Sequence, residues 1–590
     1  MESEGKNEEL DVIQRTVKTP HSKLLTPNDP SDQRERVLFF RAEARTGSGA
    51  SPTPHSSLLT PHSQPVFYSI ITFIIAFVLL NATSKMVPMC WDEGDSFWRA
   101  EQIELWLGLK DAPADAKPAA DSLPYISYSE GHPAFYGLLA ASGDVAGRFV
   151  PGVNGRTFFL FFYALAIAAV FGKLLRRYPT SVAPALIAAA SMILIPRLYC
   201  HAHFAVNDSI LTSCWVLTWV FFTEEEKPRS LWRAVPFGVF LGLTMASKFT
   251  GWLAIPCFAA VWIFHRNRNL FFYLLTGFVA AALTFYAVNP PLWFNPVDGM
   301  GEFFSRNLGR EETFNLTGYF FGRLYSITNS LPWYNTLVWV AITIPVGILF
   351  LVLLGFGELW RNRKMLFAQS LFFNAIILLV IRALPHVPAH DNERLIISAF
   401  AFLAIIAGLG TLTLSRLLER LSERRRCVVY NSLLIAIVLG SLSSWVIYAP
   451  HWLSYYNLTV GGLPGAYRLG LEPTYWWTDL DDFTLNWINE NSKPGEKVQF
   501  QICSRYNLNK LIEEKKLRVN YASAAPGRYR RYVMQTRPSV MNERDWRLIQ
   551  TQTPAYSVTI PFSGPGPWNL NSVPLIRIYD LESGSDKNEE

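Results

Sequence analysis

Three carboxylates stand within four residues at Trp91-Asp92-Glu93-Gly94-Asp95, directly after the first long apolar run. A carboxylate placed there can take the proton from a hydroxyl nucleophile as its oxygen attacks. The same residues would also make an ordinary acidic loop. Further on, Glu130-Gly131-His132-Pro133 precedes an apolar stretch, and a His-Pro pair marks a turn before a helix. Arg156 opens the second apolar run. There it can snorkel to the interface or hold a phosphate with its planar fork. Arg197, His201, His203 and Asp208 crowd one short turn between two apolar runs, and ionisable groups at such depth are functional candidates by default. The two histidines have a spacing open to a metal, but a third ligand is missing from the pattern. Hydrogen-bonding or substrate contact is the preferred role, and a divalent cation stays open. Lys248, beside Gly251, suits a phosphate contact or an interface anchor, and His386, His390, Asp391, Glu393 and Arg394 suit either substrate contact or a solvated loop.

What positions these residues is a membrane scaffold. Half of the 590 residues are apolar and 17% are charged, below the soluble average of about a quarter. The apolar residues form eleven runs, near 66–84, 156–173, 181–199, 207–223, 232–248, 250–265, 270–289, 333–357, 366–384, 394–414 and 427–449. Runs of roughly 18 residues or more are what spanning the hydrocarbon requires. With the N-terminus inside, every second loop carries Lys or Arg, from Lys173, Arg176 and Arg177 to Arg424–Arg426, as the positive-inside rule demands. The net charge of +6 is therefore read as a topology signal, and no nucleic-acid partner is expected. Residues 1–65 are polar and hold the near-duplicates Thr19–Pro27 and Thr53–Pro61, which predicts a disordered cytoplasmic tail. The transmembrane domain is assigned to 66–450, with large external loops at 85–155 and 290–332. In the first loop Trp98, Leu105, Trp106 and Leu109 share a helical face, the pattern of an interfacial helix. Residues 451–590 are expected to form a small extracytoplasmic α/β domain. Its strands are predicted at Lys497–Ile502, Arg518–Ala522, Tyr556–Ile560 and Pro574–Asp580, and its helices at Asp481–Asn491 and Asn542–Gln550. The aromatic and basic stretches Tyr475–Trp477 and Arg528–Arg531 are compatible with a partner surface.

Taken together, these residues resemble the GT-C membrane glycosyltransferases, in the branch holding protein O-mannosyltransferases and the bacterial aminoarabinose transferase. The matches are Asp92-Glu93 after the first span, His132-Pro133, Arg156, Arg197 with Asp208-Ser209, and Lys248 with Gly251. The chain departs from the branch at Ala134, where a second proline is usual, and in the His201-Ala-His203 step. The resemblance covers about 66–460. It implies a polytopic α-helical fold in the plasma (inner) membrane and a polyprenyl-phosphate-linked sugar as donor. The acceptor, a protein, lipid or glycan, is left open. It further implies inversion, with Asp92 as general base and Glu93 orienting. Arg156, Arg197 and Lys248 would meet the donor phosphate. By residue type and placement, His132, His201, His203, Asp208, His390 and Asp391 are the substrate-contact candidates. No cofactor is demanded. A membrane transporter and a non-catalytic assembly protein are the competing classes.

Overall fold

The computed structural model describes residues 64–111, 131–225, 228, 230–309, 316–493, 496–521, 529–560 and 573–581. The expected N-terminal tail, Glu130, Ala522 and Arg528 lie outside the described residues.

Each of the eleven apolar runs is helical, and among the described residues five helices are long and apolar enough to cross a membrane: Gln64–Ser84, Thr157–Arg177, Arg268–Ala287, Arg394–Leu417 and Glu423–Ile447. Several others are interrupted, and proline explains two breaks. The run at 181–199 divides at Ile195 into Ala183–Leu194 and Pro196–His201, and the run at 333–357 divides before Val346 at Pro345. Proline lacks the N–H that would continue the ladder and pushes the residue before it out of the helical region, and Ile195 accordingly has ψ 104°.

The helices differ in what covers them. In Arg394–Leu417, 89% of the most apolar window is buried, against 17% in Gln64–Ser84 and 11% in Glu423–Ile447. The last two leave Ile75, Val78, Ile435 and Leu439 more than half exposed. Apolar helix faces of that length are tolerable only against lipid, so the chain is a multi-pass membrane protein. The central helix packs closely against Val346–Arg361. A Cβ on Gly410 would stand 2.1 Å from the Leu351 carbonyl oxygen, so glycine there lets the two backbones touch.

The C-terminal region forms the expected α/β unit. Gly318–Phe320 (β1) and Arg323–Tyr325 (β2) form a separate hairpin, and the five-stranded sheet of the unit, from Lys497–Phe500 (β3), Asn520–Tyr521 (β4), Arg531–Gln535 (β5), Tyr556–Thr559 (β6) and Pro574–Asp580 (β7), has the order β4-β3-β5-β7-β6. β3 runs parallel to β4 and β5, while β7 is antiparallel to β5 and β6. The central strand β5 was not among the expected strands. Its residues follow the arginine-rich stretch that suggested a binding surface, yet Arg531–Gln535 are buried throughout. Helices Asp482–Asn491 and Glu543–Thr551 begin where Asp481 and Asn542 cap them through side-chain acceptors, a standard N-terminal device.

This unit is anchored to the first loop. Asn507 donates to the Cys90 carbonyl at 2.8 Å and accepts from the Gly94 N–H at 2.8 Å. A Cβ on Gly94 would lie 2.1 Å from Asn507 Oδ1, so the bare backbone is what admits the contact. Where an interfacial helix was expected, the chain is helical over Trp91–Trp106, and Leu109 lies beyond its end. Trp98 packs on Tyr506 of the C-terminal unit, with ring centroids 5.4 Å apart.

Candidate functional site

Cys90 caps the Trp91–Trp106 helix, and Glu93 closes the cap by accepting the Cys90 N–H at 3.3 Å. Adjacent helical residues point about 100° apart, so Asp92 and Glu93 enter different surroundings. Glu93 is fully buried. Arg156 donates to both its oxygens, Nε to Oε1 and Nη2 to Oε2, each at 2.6 Å, and the Ala205 N–H adds a bond at 3.0 Å. Arg156 also donates to the carbonyls of Ser84 at 2.8 Å, Val87 at 2.9 Å and Pro88 at 3.4 Å. All five of its N–H bonds are therefore engaged by protein.

Asp92 is a third exposed and faces Arg394, whose Nη2 donates to its Oδ2. Arg394 opens the central helix and reaches two more carboxylates. Its Nε donates to Asp208 at 3.0 Å and its Nη1 to Asp391 at 2.7 Å. Lys248 donates to the other oxygen of Asp208 at 2.6 Å, and Arg537 of the C-terminal unit to the other oxygen of Asp391 at 2.7 Å. Three carboxylates are thus met by three cations in one continuous network. Two tryptophans roof it: Trp476 lies 3.9 Å from the Arg394 guanidinium and Trp477 lies 3.9 Å from that of Arg537.

The backbone carries strain here. Asp391, Asn392, Trp476 and Trp477 have φ of 57°, 49°, 62° and 54°, a left-handed region that side-chain-bearing residues seldom adopt. Such strain persists only where surrounding contacts over-determine it, and it clusters at sites that bind or react. Burial alone would raise the Asp391 carboxyl, but Arg537 and Arg394 outweigh that and hold it below the usual carboxylate range.

A second buried pair lies alongside. Arg197 donates to Glu393 at 2.5 Å and to the Tyr455 carbonyl at 2.8 Å, and the Tyr475 hydroxyl donates to Glu393 at 2.6 Å. His201 bonds Tyr475 through Nε2 at 3.0 Å and stacks on Trp476. Burial pushes its imidazole down to about 3, so it is neutral at physiological pH.

Several of the residues expected at the site are held by protein groups. Arg156 and Arg197, expected at the donor phosphate, are each tied to a buried glutamate. His203, expected to touch substrate, has Nε2 on the Thr83 hydroxyl and Nδ1 on the Tyr199 carbonyl, both at 2.8 Å, and no exposed surface. The segment around Asp391 is no solvated loop, since Asp391, Asn392, Glu393 and Arg394 are all buried. Asp208, Asp391 and Lys248 do share one network with Asp92. His132 packs edge-on against Tyr136, and His390 sits beside Asp391. Arg394 was noticed in sequence only as part of a polar group, Trp476 and Trp477 as a partner surface, and Arg537 carried no local signal.

Among the described residues, no three His, Cys, Asp or Glu side chains gather as a metal site; the carboxylates nearest Asp92 converge on Arg394. A cavity of about 420 Å³ lies behind Arg156, between residues 84–89 and Lys510–Lys516, and Asp92 is not in its wall.

No protein-family model matches this chain, and no curated protein matches it. Among solved structures, it is similar to ArnT from Cupriavidus metallidurans bound to undecaprenyl phosphate, at 14% identity and a TM-score of 0.45, covering 87% of this chain and 98% of that one. It is likewise similar to the apo state of ArnT from Cupriavidus metallidurans, at 13% identity and a TM-score of 0.47, covering 88% and 98%. At that distance the chemistry has to be decided by this chain's own residues.

Proposed function

We propose that the protein is a glycosyltransferase that moves a sugar from a polyprenyl-phosphate donor to an acceptor hydroxyl, at the extracytoplasmic end of its helix bundle. The observation that carries this reading is the unequal pair Asp92-Glu93. Glu93 is closed off by protein, whereas Asp92 keeps a third of its side chain open within a cluster of cations.

Asp92 acts as the general base. It takes the acceptor's hydroxyl proton as the oxygen bonds to the anomeric carbon. The bond from that carbon to the phosphate oxygen breaks, and its electron pair leaves with the lipid phosphate. Negative charge grows on the phosphate in the transition state, where fixed cations count most. Arg394 is such a cation on Asp92, and Lys248 joins it through Asp208. One in-line displacement inverts the anomeric centre. Glu93 and Arg156 set the start of the helix that carries Asp92. A transporter would keep its ionisable groups near the midplane, at broken helices. Here Asp92, Asp208 and Arg394 begin helices and Lys248 ends one.

The test uses the full chain in lipid nanodiscs, with a polyprenyl-phosphate sugar and release of polyprenyl phosphate as the readout. Asp92→Asn should bind the donor normally and turn over far more slowly. Normal turnover by a folded Asp92→Asn protein would end the base assignment.

A further inference from the structure

The network around Arg394 accounts for its charges; Arg382 stands apart from it. Arg382 ends the Leu366–Arg382 helix at the same end of the bundle and is 3% exposed. Its Nε, Nη1 and Nη2 all lack a hydrogen-bond partner. Arginine cannot discharge itself by losing a proton, and a buried charge without a bonded partner is costly. Asp391 is the carboxylate that acts on it electrostatically, but both Asp391 oxygens are already held by Arg394 and Arg537.

The surroundings supply more donors than acceptors. Asn335 donates to the Arg382 carbonyl at 3.4 Å, which ties the Asn335–Thr343 helix to this position. One turn along that helix, the Trp339 Nε1–H is buried without an acceptor. On either side of Asp391, the Asn392 side-chain amide is buried with its Nδ2 unpartnered, and His390 Nδ1 is unpartnered as well. Asn392 is one of the residues held at positive φ, so strain presents an amide that meets no protein acceptor. Against these groups stands one unpartnered side-chain amide oxygen, Asn335 Oδ1, which cannot satisfy the five N–H groups of a guanidinium, whereas a phosphate-class oxyanion accepts from the planar fork at two oxygens.

We propose that Arg382, with Asn392 and His390, forms an oxyanion subsite distinct from the Lys248–Arg394 position, taking a second phosphate-class group carried by the substrates. The assignment to substrates rests on the transferase reading above; binding of the anion does not. A second anion has two chemical sources, a diphosphate linkage in the donor or an acidic group on the acceptor.

The experiment measures binding to the full chain in nanodiscs with two probes, a polyprenyl monophosphate and inorganic phosphate, the second titrated at saturating lipid. Arg382→Gln should weaken inorganic phosphate binding on the order of tenfold or more, as loss of charge-assisted bonds implies, and leave monophosphate affinity within about twofold. Lys248→Ala should do the reverse. Since Gln removes an uncompensated charge at similar size, ligand-free Arg382→Gln should melt no lower than wild type, whereas a structural arginine would lower it. Should Arg382→Gln fail to fold, that outcome overturns the proposal, and Arg382→Lys then reports whether phosphate binding depends on the fork. Wild-type phosphate binding by Arg382→Gln would overturn it, and so would loss of monophosphate binding, which would place Arg382 in a single donor site. A polyprenyl diphosphate that binds wild type more tightly than Arg382→Gln assigns the anion to the donor; equal affinities assign it to the acceptor. Loss of turnover in Asp92→Asn leaves these binding results unchanged, so the two readings fail separately.

Discussion

Two sets of charged residues meet at one end of this bundle, made of the same residue types but closed to different degrees. In Glu93–Arg156 and Glu393–Arg197 each carboxylate is fully buried and held by a guanidinium. In the network of Asp92, Asp208, Asp391, Lys248, Arg394 and Arg537, the groups of Asp208, Asp391 and Arg394 are shared between partners, and Asp92 remains a third open. A group whose bonds are all made by protein, as those of Arg156 are, holds shape, and one with capacity to spare can exchange a proton or meet a ligand. On the proposed reading, closure rather than residue type or depth is what separates scaffold from chemistry.

The largest effect should come from breaking the open side. Asp92→Asn keeps size and removes basicity, so kcat should fall by about a hundred- to ten-thousand-fold, with donor affinity and melting temperature close to wild type. Breaking the closed side should give the opposite profile. Glu93→Gln leaves Arg156 as a buried charge without its counter-ion, which typically costs about 3–5 kcal/mol. Folded yield and thermal stability should drop, and the remaining folded protein should still turn over. If Glu93→Gln folds normally but is inactive while Asp92→Asn works, the two roles are exchanged.

The sequence carried the helical runs and the acidic pair because both are local: apolar length and a short motif survive without tertiary context. It did not carry closure. Whether Arg156 has N–H bonds to spare depends on the Ser84, Val87 and Pro88 carbonyls, which only the folded turn brings round it. Arg537 lies 146 residues from Asp391, so nothing in its neighbourhood marked it. The central strand β5 was hidden for a related reason: Arg531 begins it, buried against the Trp487 ring rather than facing solvent. The polar run before Arg394 looked like a solvated loop because burial of charge needs partners from other segments.

Arg537 offers a sharper test of the open side because it acts at one remove, through Asp391 and Arg394. Arg537→Gln should lower kcat by roughly a hundredfold at most, the scale of a small misplacement of reacting groups, with KM for the donor little changed. Arg537→Lys restores a charge but not a fork that can stack on Trp477 and bond Asp391 together, so rescue should be partial. A parallel fall in stability with unchanged kcat would make Arg537 an ordinary strut between the membrane bundle and the sheet.

The smallest effect concerns a closed contact that titrates. His451 lies just beyond the Glu423–Ile447 helix, with Nδ1 3.2 Å from Asp479 and Nε2 3.4 Å from Asp481. Burial opposes its charge, but hydrogen bonds to Asp479 and Asp481 outweigh that and raise its pKa to about 9. An unfolded histidine titrates near about 6.5. A folded-state pKa above the unfolded value means the imidazolium stabilises fully below pH ~6.5 and loses that contribution as pH rises through about 9. The wild-type melting temperature should therefore decline across this window, and His451→Gln, which cannot charge, should lack that part of the decline. Turnover, measured where both proteins are folded, should respond little, since His451 touches neither Asp92 nor its cations. An identical pH dependence of melting in the two proteins would show that His451 is uncharged in the fold. The contrast between titrating scaffold and working site would then rest on Asp92 and Glu93 alone.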